Sequence, residues 1–150
     1  MPHLRPATEA DIPFILAVER GPGYDALVGR FDEAEHRANL ADSDWLYFIG
    51  EDDAGTPRGI AILQHRTTRD GSEFLRRIAV ADAGAGFGRP FLAALIEWVF
   101  AQPEVDRFRL HVRKINSRAR HVYQSLGFVD DPDAGPDPDS FRMVLSRPAR

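Results

Sequence analysis

The stretch Gly84-Ala85-Gly86-Phe87-Gly88-Arg89 constrains this chain more than any other, because the hydrophobic period changes across it. Before it, Glu73 to Val80 reads as a strand. After it, Leu92, Leu95, Ile96, Val99 and Phe100 recur at i, i+3, i+4, i+7 and i+8, the apolar stripe of an amphipathic helix that Pro103 has ended. A strand that passes through alternating glycines into a helix presents the unpaired N–H groups of the first helical turn, together with the positive end of the peptide dipoles. Glycine matters here because a side chain would hold an anion away from the backbone. Arg89 adds a fixed positive charge, and Pro90 suits the first turn, where no N–H is lost.

Three phosphate-binding readings of this turn stay open on the residues alone. A Walker loop needs Gly-Lys-Ser/Thr after its second glycine, and none is present. A dinucleotide fingerprint would start at Gly84, with Arg89 standing where the last Gly or Ala belongs and Glu104 at the distance of a ribose-binding acid. A tight strand-to-helix corner without a ligand is the third reading.

The rest of the chain supplies the setting. A short extended segment at His3 to Arg5 ends at Pro6, and Thr8 with Asp11 makes an approximate capping box for a helix that opens before Pro13. Ile12, Ile15, Leu16 and Glu19 follow one face of that helix, and Arg20-Gly21-Pro22-Gly23 ends it. Asp32, with Glu35 three residues on, caps a second helix reaching about Leu40. Trp45 to Gly50, Gly59 to His65 and Glu73 to Val80 are three strands joined by short turns, hence antiparallel neighbours. Phe108 to Val112 is a further strand. Asn116 caps a helix carrying Ala119, Val122, Tyr123 and Leu126, with Gly127 as its C′ residue. A short strand at Phe128-Val129 and a last one around Phe141 to Leu145 flank a loop rich in Asp and Pro. The order β-α-α-β-β-β-α-β-α-β implies an α/β (α+β) fold with a mixed sheet, parallel only across the helix that follows the glycine turn.

Residues 1–150 fit one domain. The net charge of −4 gives no field for nucleic acid, and the longest apolar run is far short of the roughly 20 residues of a membrane span. With no cysteine there is neither a disulfide framework, nor a thiolate zinc site, nor a cysteine nucleophile. No metal is expected, and a cytoplasmic location is. The carboxylates of Asp130, Asp131, Asp133, Asp137 and Asp139 lack the spacing of a calcium loop and read as solvated.

The segment Leu110 to Phe128, with Asn116 opening a helix, Ala119 three later, Tyr123 seven later and then Gly127-Phe128, resembles the strand-helix signature of the GNAT superfamily of N-acetyltransferases. Arg77-Ile78-Ala79-Val80 running into the glycine turn resembles the cofactor motif of the same family, at matching spacing, and Leu4 to Asp11 resembles its opening. One departure is Ala83, which stands where the family's loop begins with Gln or Arg.

The resemblance implies a single domain with a mixed, mostly antiparallel sheet of six to seven strands and about four helices, splayed at its two parallel central strands. It implies acetyl-CoA as cosubstrate and transfer of the acetyl group to a primary amine of a small molecule or peptide, by direct attack in a ternary complex. Pantetheine would lie against Ile78, Ala79 and Val80, whose region would also stabilise the oxyanion. Gly84, Gly86, Phe87, Gly88 and Arg89 would hold the pyrophosphate, with Arg118 or Arg120 as further charges. Asn116 would contact the cofactor as well as cap its helix. Tyr123 is the candidate acid for the departing thiolate and a further cofactor contact. A phenol of ordinary pKa about 10 faces a thiol of about 8.5, so full transfer is uphill by about 2 kcal/mol and a strengthening hydrogen bond describes the role better. Glu73 is the candidate base, with its register one position off the family's, and Glu19, His65 and His111 are its rivals. Tyr24 and Arg30, in the 21–31 loop, are the candidate acceptor contacts. The resemblance also allows a homodimer. From another class, a catalytically idle acyl-CoA-binding or regulatory module would show the same cofactor motifs.

Overall fold

The computed structural model describes residues 2–21, 31–66, 70–82 and 85–148, the side chains of 65 and 66 excepted. Strand β1 (His3–Pro6) leads through a 3-10 turn (Glu9–Asp11) into α1 (Ile12–Glu19). The Thr8 backbone N–H donates to the Asp11 carboxylate at 2.8 Å, so the capping box forms but closes the 3-10 turn, and the α-helix starts only at Ile12, with Pro13 in its first turn. Helix α2 (Glu33–Leu40) opens on a reciprocal box in which Glu35 N–H donates to Asp32 Oδ1 at 2.7 Å and Asp32 N–H to Glu35 Oε1 at 3.1 Å. Strands β2 (Trp45–Glu51), β3 (Pro57–Arg66) and β4 (Ser72–Val80) form an antiparallel meander. Then follow α3 (Gly88–Ala101), β5 (Arg107–Arg113), α4 (Ser117–Ser125), β6 (Val129–Asp130) and β7 (Ser140–Ser146).

The seven strands make one sheet in the order β1-β2-β3-β4-β5-β7-β6, parallel between β4 and β5 and antiparallel elsewhere. Helix α3 is the crossover that parallel neighbours require. Its stripe, Phe91, Leu92, Leu95 and Val99, is buried with Phe48, Leu63, Leu75, Phe108 and Leu110, and α4 adds Tyr123 to the same layer. Burial of each large side chain contributes about 1.5–3 kcal/mol before entropy is counted. The opposite face carries α1, with Ile15 and Val18 against Tyr47, Ile49, Ile60, Ile62 and Ala79. The buried residues of α1 are Ile12, Ile15, Val18 and Glu19, so Val18 takes the inward place expected of Leu16. Strand β6 starts one residue later than expected because Phe128 is a core side chain, packed on Phe108.

One irregularity sets the geometry of β4. Leu75 pairs with Leu63 and Arg77 with Ile62, which leaves Arg76 as an extra residue, a β-bulge. Strict alternation would put Leu75, Arg77 and Ala79 on one face. Instead Leu75 packs in the α3 and α4 layer, while Ala79 packs in the α1 layer and Ile78 and Val80 lie against the α3 side. No helix among the described residues is long and apolar enough to cross a membrane.

Candidate functional site

The β4–β5 ladder is short. Its partners run only from Ser72 with Arg107 to Leu75 with Leu110, after which β4 continues along β3 and β5 along β7. From Arg76 to Val80 on one side and from His111 to Arg113 on the other, the two strands share no rungs. At about 3.3 Å per residue this is a slot some 10–16 Å deep between the strands, with Ile78 and Ala79 on its wall.

The glycine turn stands at the mouth of that slot. Gly84 and Ala83 lie outside the described residues. Gly86 has φ +88, and a Cβ built there would meet nothing within 4 Å, so the backbone is open to a ligand. Phe87 is the N-cap residue of α3 and packs on Phe91 with ring centroids 5.5 Å apart. The first helical bond is Phe91 N–H to Phe87 O at 3.0 Å, which leaves the N–H groups of Gly88 and Arg89 without a carbonyl one turn back. Arg89 is exposed in this turn. The turn itself borders a cleft of about 540 Å³, in which Ala85, Gly86, Phe87 and Pro90 face Asp52, Asp53, Asp82 and Arg58.

Across the slot, Asn116 caps α4 with its Oδ1 accepting from Ala119 N–H at 3.1 Å. The cap uses only the amide oxygen, and the NH₂ group keeps its capacity for a ligand. Seven residues on, about 10 Å along the helix and on the same stripe, Tyr123 is buried with its ring 5.7 Å from Phe128. Arg120 stacks its guanidinium 3.6 Å above Phe141 and pairs with Asp130 at 3.0 Å, whereas Arg118 is exposed.

The candidate bases are scattered. Glu73 is 1% exposed and pairs with Phe108 of β5 and His65 of β3, within the closed part of the sheet. Five residues, about 16 Å of strand, separate it from Ile78. His111 is exposed, with its ring 5.0 Å from Phe74. The His65 side chain lies outside the described residues, as do Tyr24 and Arg30. The acidic loop is tied to the protein's own arginines: Asp131 to Arg109 at 3.1 Å, Asp137 to Arg142 at 3.6 Å, Asp130 to Arg120. Among the described residues no group of three or more His, Asp or Glu could hold a metal ion.

Sequence reasoning missed a buried polar group on the α1 face. His36, Tyr47 and Arg77 join Glu19 there, beneath the ring of Phe31. The one signal was Glu19 on the apolar stripe of α1.

A model of the acetyltransferase (GNAT) domain family matches residues 3–129. A spermidine N(1)-acetyltransferase of Vibrio cholerae is 28% identical over 104 residues, which are 67% of this chain and 60% of that protein, so the match spans less than two thirds of the relative's length. Among solved structures, the spermidine N-acetyltransferase of Vibrio cholerae in complex with CoA and spermine superposes with a TM-score of 0.80 and 23% identity, covering 97% of this chain and 95% of that one. The aminoglycoside acetyltransferase AAC(6')-Ib in complex with coenzyme A and kanamycin gives 0.81 and 22%, over 98% and 95%. These two likenesses are likenesses of fold.

Proposed function

The chain belongs to the acetyltransferase (GNAT) domain family, and from that premise we propose that it transfers an acetyl group from acetyl-CoA to a primary amine of a small molecule or peptide, in a ternary complex and without a covalent enzyme intermediate. The observation that carries this reading is the slot: the β4–β5 ladder ends at Leu75 and Leu110, and the unpaired stretch of β4 beyond it leads into the glycine turn and the N-terminus of α3, which offer donors to an anion. An extended pantetheine arm suits the space a missing strand would fill, and a pyrophosphate suits the open backbone at Gly86, the N–H groups of Gly88 and Arg89, and the Arg89 charge. Acetyl-CoA, when bound, supplies an activated acyl group on a thiol leaving group.

Within this proposal the residues divide the work. The backbone of Ile78 to Val80 lines the arm and its N–H groups oppose the charge that develops on the carbonyl oxygen. Tyr123 hydrogen-bonds the departing sulfur, the bond strengthening as thiolate charge grows. Asn116 holds the cofactor through its amide NH₂ while its oxygen keeps α4 capped. Glu73, two residues from the closed end of the slot at Leu75, stays in the proposal as the base that takes the amine's proton directly or through water. Tyr24 and Arg30 stay in the proposal as acceptor contacts, and the setting is cytoplasmic.

The relatives are named for spermidine, and the solved complexes hold spermine and kanamycin, all amines. The test is free-thiol release from acetyl-CoA with panels of polyamines, aminoglycosides, amino acids and peptides. Acetyl-CoA-dependent turnover on one class supports the reading. Heat stabilisation by acetyl-CoA with no turnover on any panel replaces it with an idle acyl-CoA-binding module.

A further inference from the structure

A chain of buried polar groups on the α1 side of β4 takes no part in the chemistry above. Asn39 Nδ2 donates to the Tyr47 hydroxyl at 3.2 Å, the hydroxyl lies 2.7 Å from His36 Nδ1, and His36 Nε2 lies 2.6 Å from Glu19 Oε1. The other carboxylate oxygen, Oε2, accepts from the Arg77 guanidinium. Glu19 is 1% exposed, His36 0% and Arg77 6%.

The links chain together: Asn39 N–H donates to the Tyr47 oxygen, the Tyr47 hydroxyl bonds His36 Nδ1, His36 Nε2 bonds Glu19, and Arg77 donates to the other carboxylate oxygen. Glu19 thus has both oxygens engaged and neither facing solvent, which removes it from the candidate bases. A buried ion pair of this kind is a poor source of stability, since apolar residues of the same volume serve as well or better. What it does supply is geometry.

Arg77 is the first residue after the bulge and the neighbour of Ile78. A bulge that slips by one residue turns every later side chain and N–H to the other side. The guanidinium reaches Glu19 only in the observed register. The same contact ties β4 to the C-terminal end of α1, while His36 ties in α2 and the Phe31 ring sits 4.5 Å above the guanidinium carbon. The α3 and α4 layer covers the other face of the sheet, so the acetyltransferase reading brings the amine in from the α1 and α2 side.

We propose that the Glu19–Arg77 pair, held by His36, is a positioning device for the acceptor half of the reaction: it fixes the register of the β4 bulge, hence which N–H groups of Ile78 to Val80 face the slot, and anchors α1 and α2 to that strand. The proposal rests on the acetyltransferase reading for its kinetic consequence, and on the bulge alone for its structural one.

The experiment uses the full chain with Arg77→Met, Arg77→Lys, and the double variant Glu19→Leu/Arg77→Met, which leaves no unpaired buried charge if the single variant fails to fold. Backbone amide exchange at Ile78 to Val80 is read without any need for turnover. We expect about tenfold faster exchange there in Arg77→Met, with the β5 and β7 amides unchanged, and partial recovery in Arg77→Lys. We expect kcat/KM for the amine to fall about tenfold or more while the Kd for CoA stays within about twofold, and the double variant to fold yet keep that kinetic loss. A folded Arg77→Met or double variant with wild-type exchange and wild-type kcat/KM overturns the proposal, as does a kinetic loss that is equal in the Lys and Met variants and follows only Tm. An inactive wild-type protein instead overturns the acetyltransferase reading, and exchange still decides the bulge.

Discussion

The ring of Phe91, in the first turn of α3, lies against Gly59 of β3, so close that a Cβ at Gly59 would stand 2.8 Å from Cε2. Gly50, the cross-strand partner of Gly59, meets the same ring, with a built Cβ 2.6 Å from Cε1. A pair of glycines therefore makes the seat on which the N-terminus of α3 rests, and the donors of Gly88 and Arg89 are placed by it.

This contact makes the first prediction. In Gly59→Ala the methyl group must displace Phe91 or the backbone oxygen of Ala79, itself 3.0 Å from the built Cβ. We expect a loss of about 1–3 kcal/mol, seen as a Tm several degrees lower, and weaker CoA binding because the helix terminus shifts. Thermal unfolding and a CoA titration on the same sample check it. A lowered Tm with unchanged CoA affinity would detach the glycine turn from the packing beneath it.

Arg147, just past β7, caps the far end of α3. Its guanidinium donates to Phe100 O at 2.8 Å and to Gln102 O at 2.7 Å, and its Nε to Val105 O at 2.9 Å. These carbonyls terminate a helix and turn where Pro103 has no N–H to continue the ladder. Arg147→Met should cost about 1–3 kcal/mol, and Arg147→Lys should recover little, because a point charge cannot span three carbonyls. Urea midpoints of the two variants decide it: equal to wild type, and the fork contributes nothing.

How much of this was legible in the sequence follows from the kind of signal each feature sends. Caps and breakers act locally, so Asp32 with Glu35, Asn116, Pro103 and Gly127 (φ +102) appear where residue types alone place them. The splay was an implication of the resemblance to the GNAT superfamily that the two motifs carry. The bulge at Arg76 was not legible, because an extra residue leaves no mark in a run whose alternation is itself imperfect. From that miss came the uncertain register of Glu73 and the surprise of Arg77, buried although a charged residue ordinarily lies at the surface. His36 was hidden for a related reason: α2 turns only this one residue fully inward, and a lone histidine makes no periodic pattern.

Acid should loosen the start of the chain. Asp11 accepts from Arg5 at 2.9 and 3.0 Å, and that hydrogen-bonded pairing holds its carboxyl below the ordinary 3.8. A depressed carboxylate stabilises the fold above its unfolded value and loses that contribution as pH falls through the folded one. The protein should therefore lose stability as pH drops below about 4. Asp11→Asn should cost about 1 kcal/mol at pH 7, and its deficit should shrink below pH 4. A deficit that stays constant from pH 7 to pH 3 would assign the effect of the substitution to the turn and not to the charge.

Tyr123 carries the chemical prediction. It shares a helix stripe with Asn116, one member capping the helix, the other facing the core with Phe108 and Phe128 around it. Removing the hydroxyl leaves the ring and its packing in place, so Tyr123→Phe separates the two roles that a buried tyrosine can have. If the hydroxyl meets the thiolate only as charge develops, its loss lowers kcat and kcat/KM together, by about 10²-fold, and leaves the Kd for CoA unchanged. If the tyrosine only fills the core, Tm shifts and turnover does not. Steady-state rates with the best amine of the panel, set beside a CoA titration, distinguish these outcomes, and a wild-type kcat in the folded variant removes Tyr123 from the mechanism.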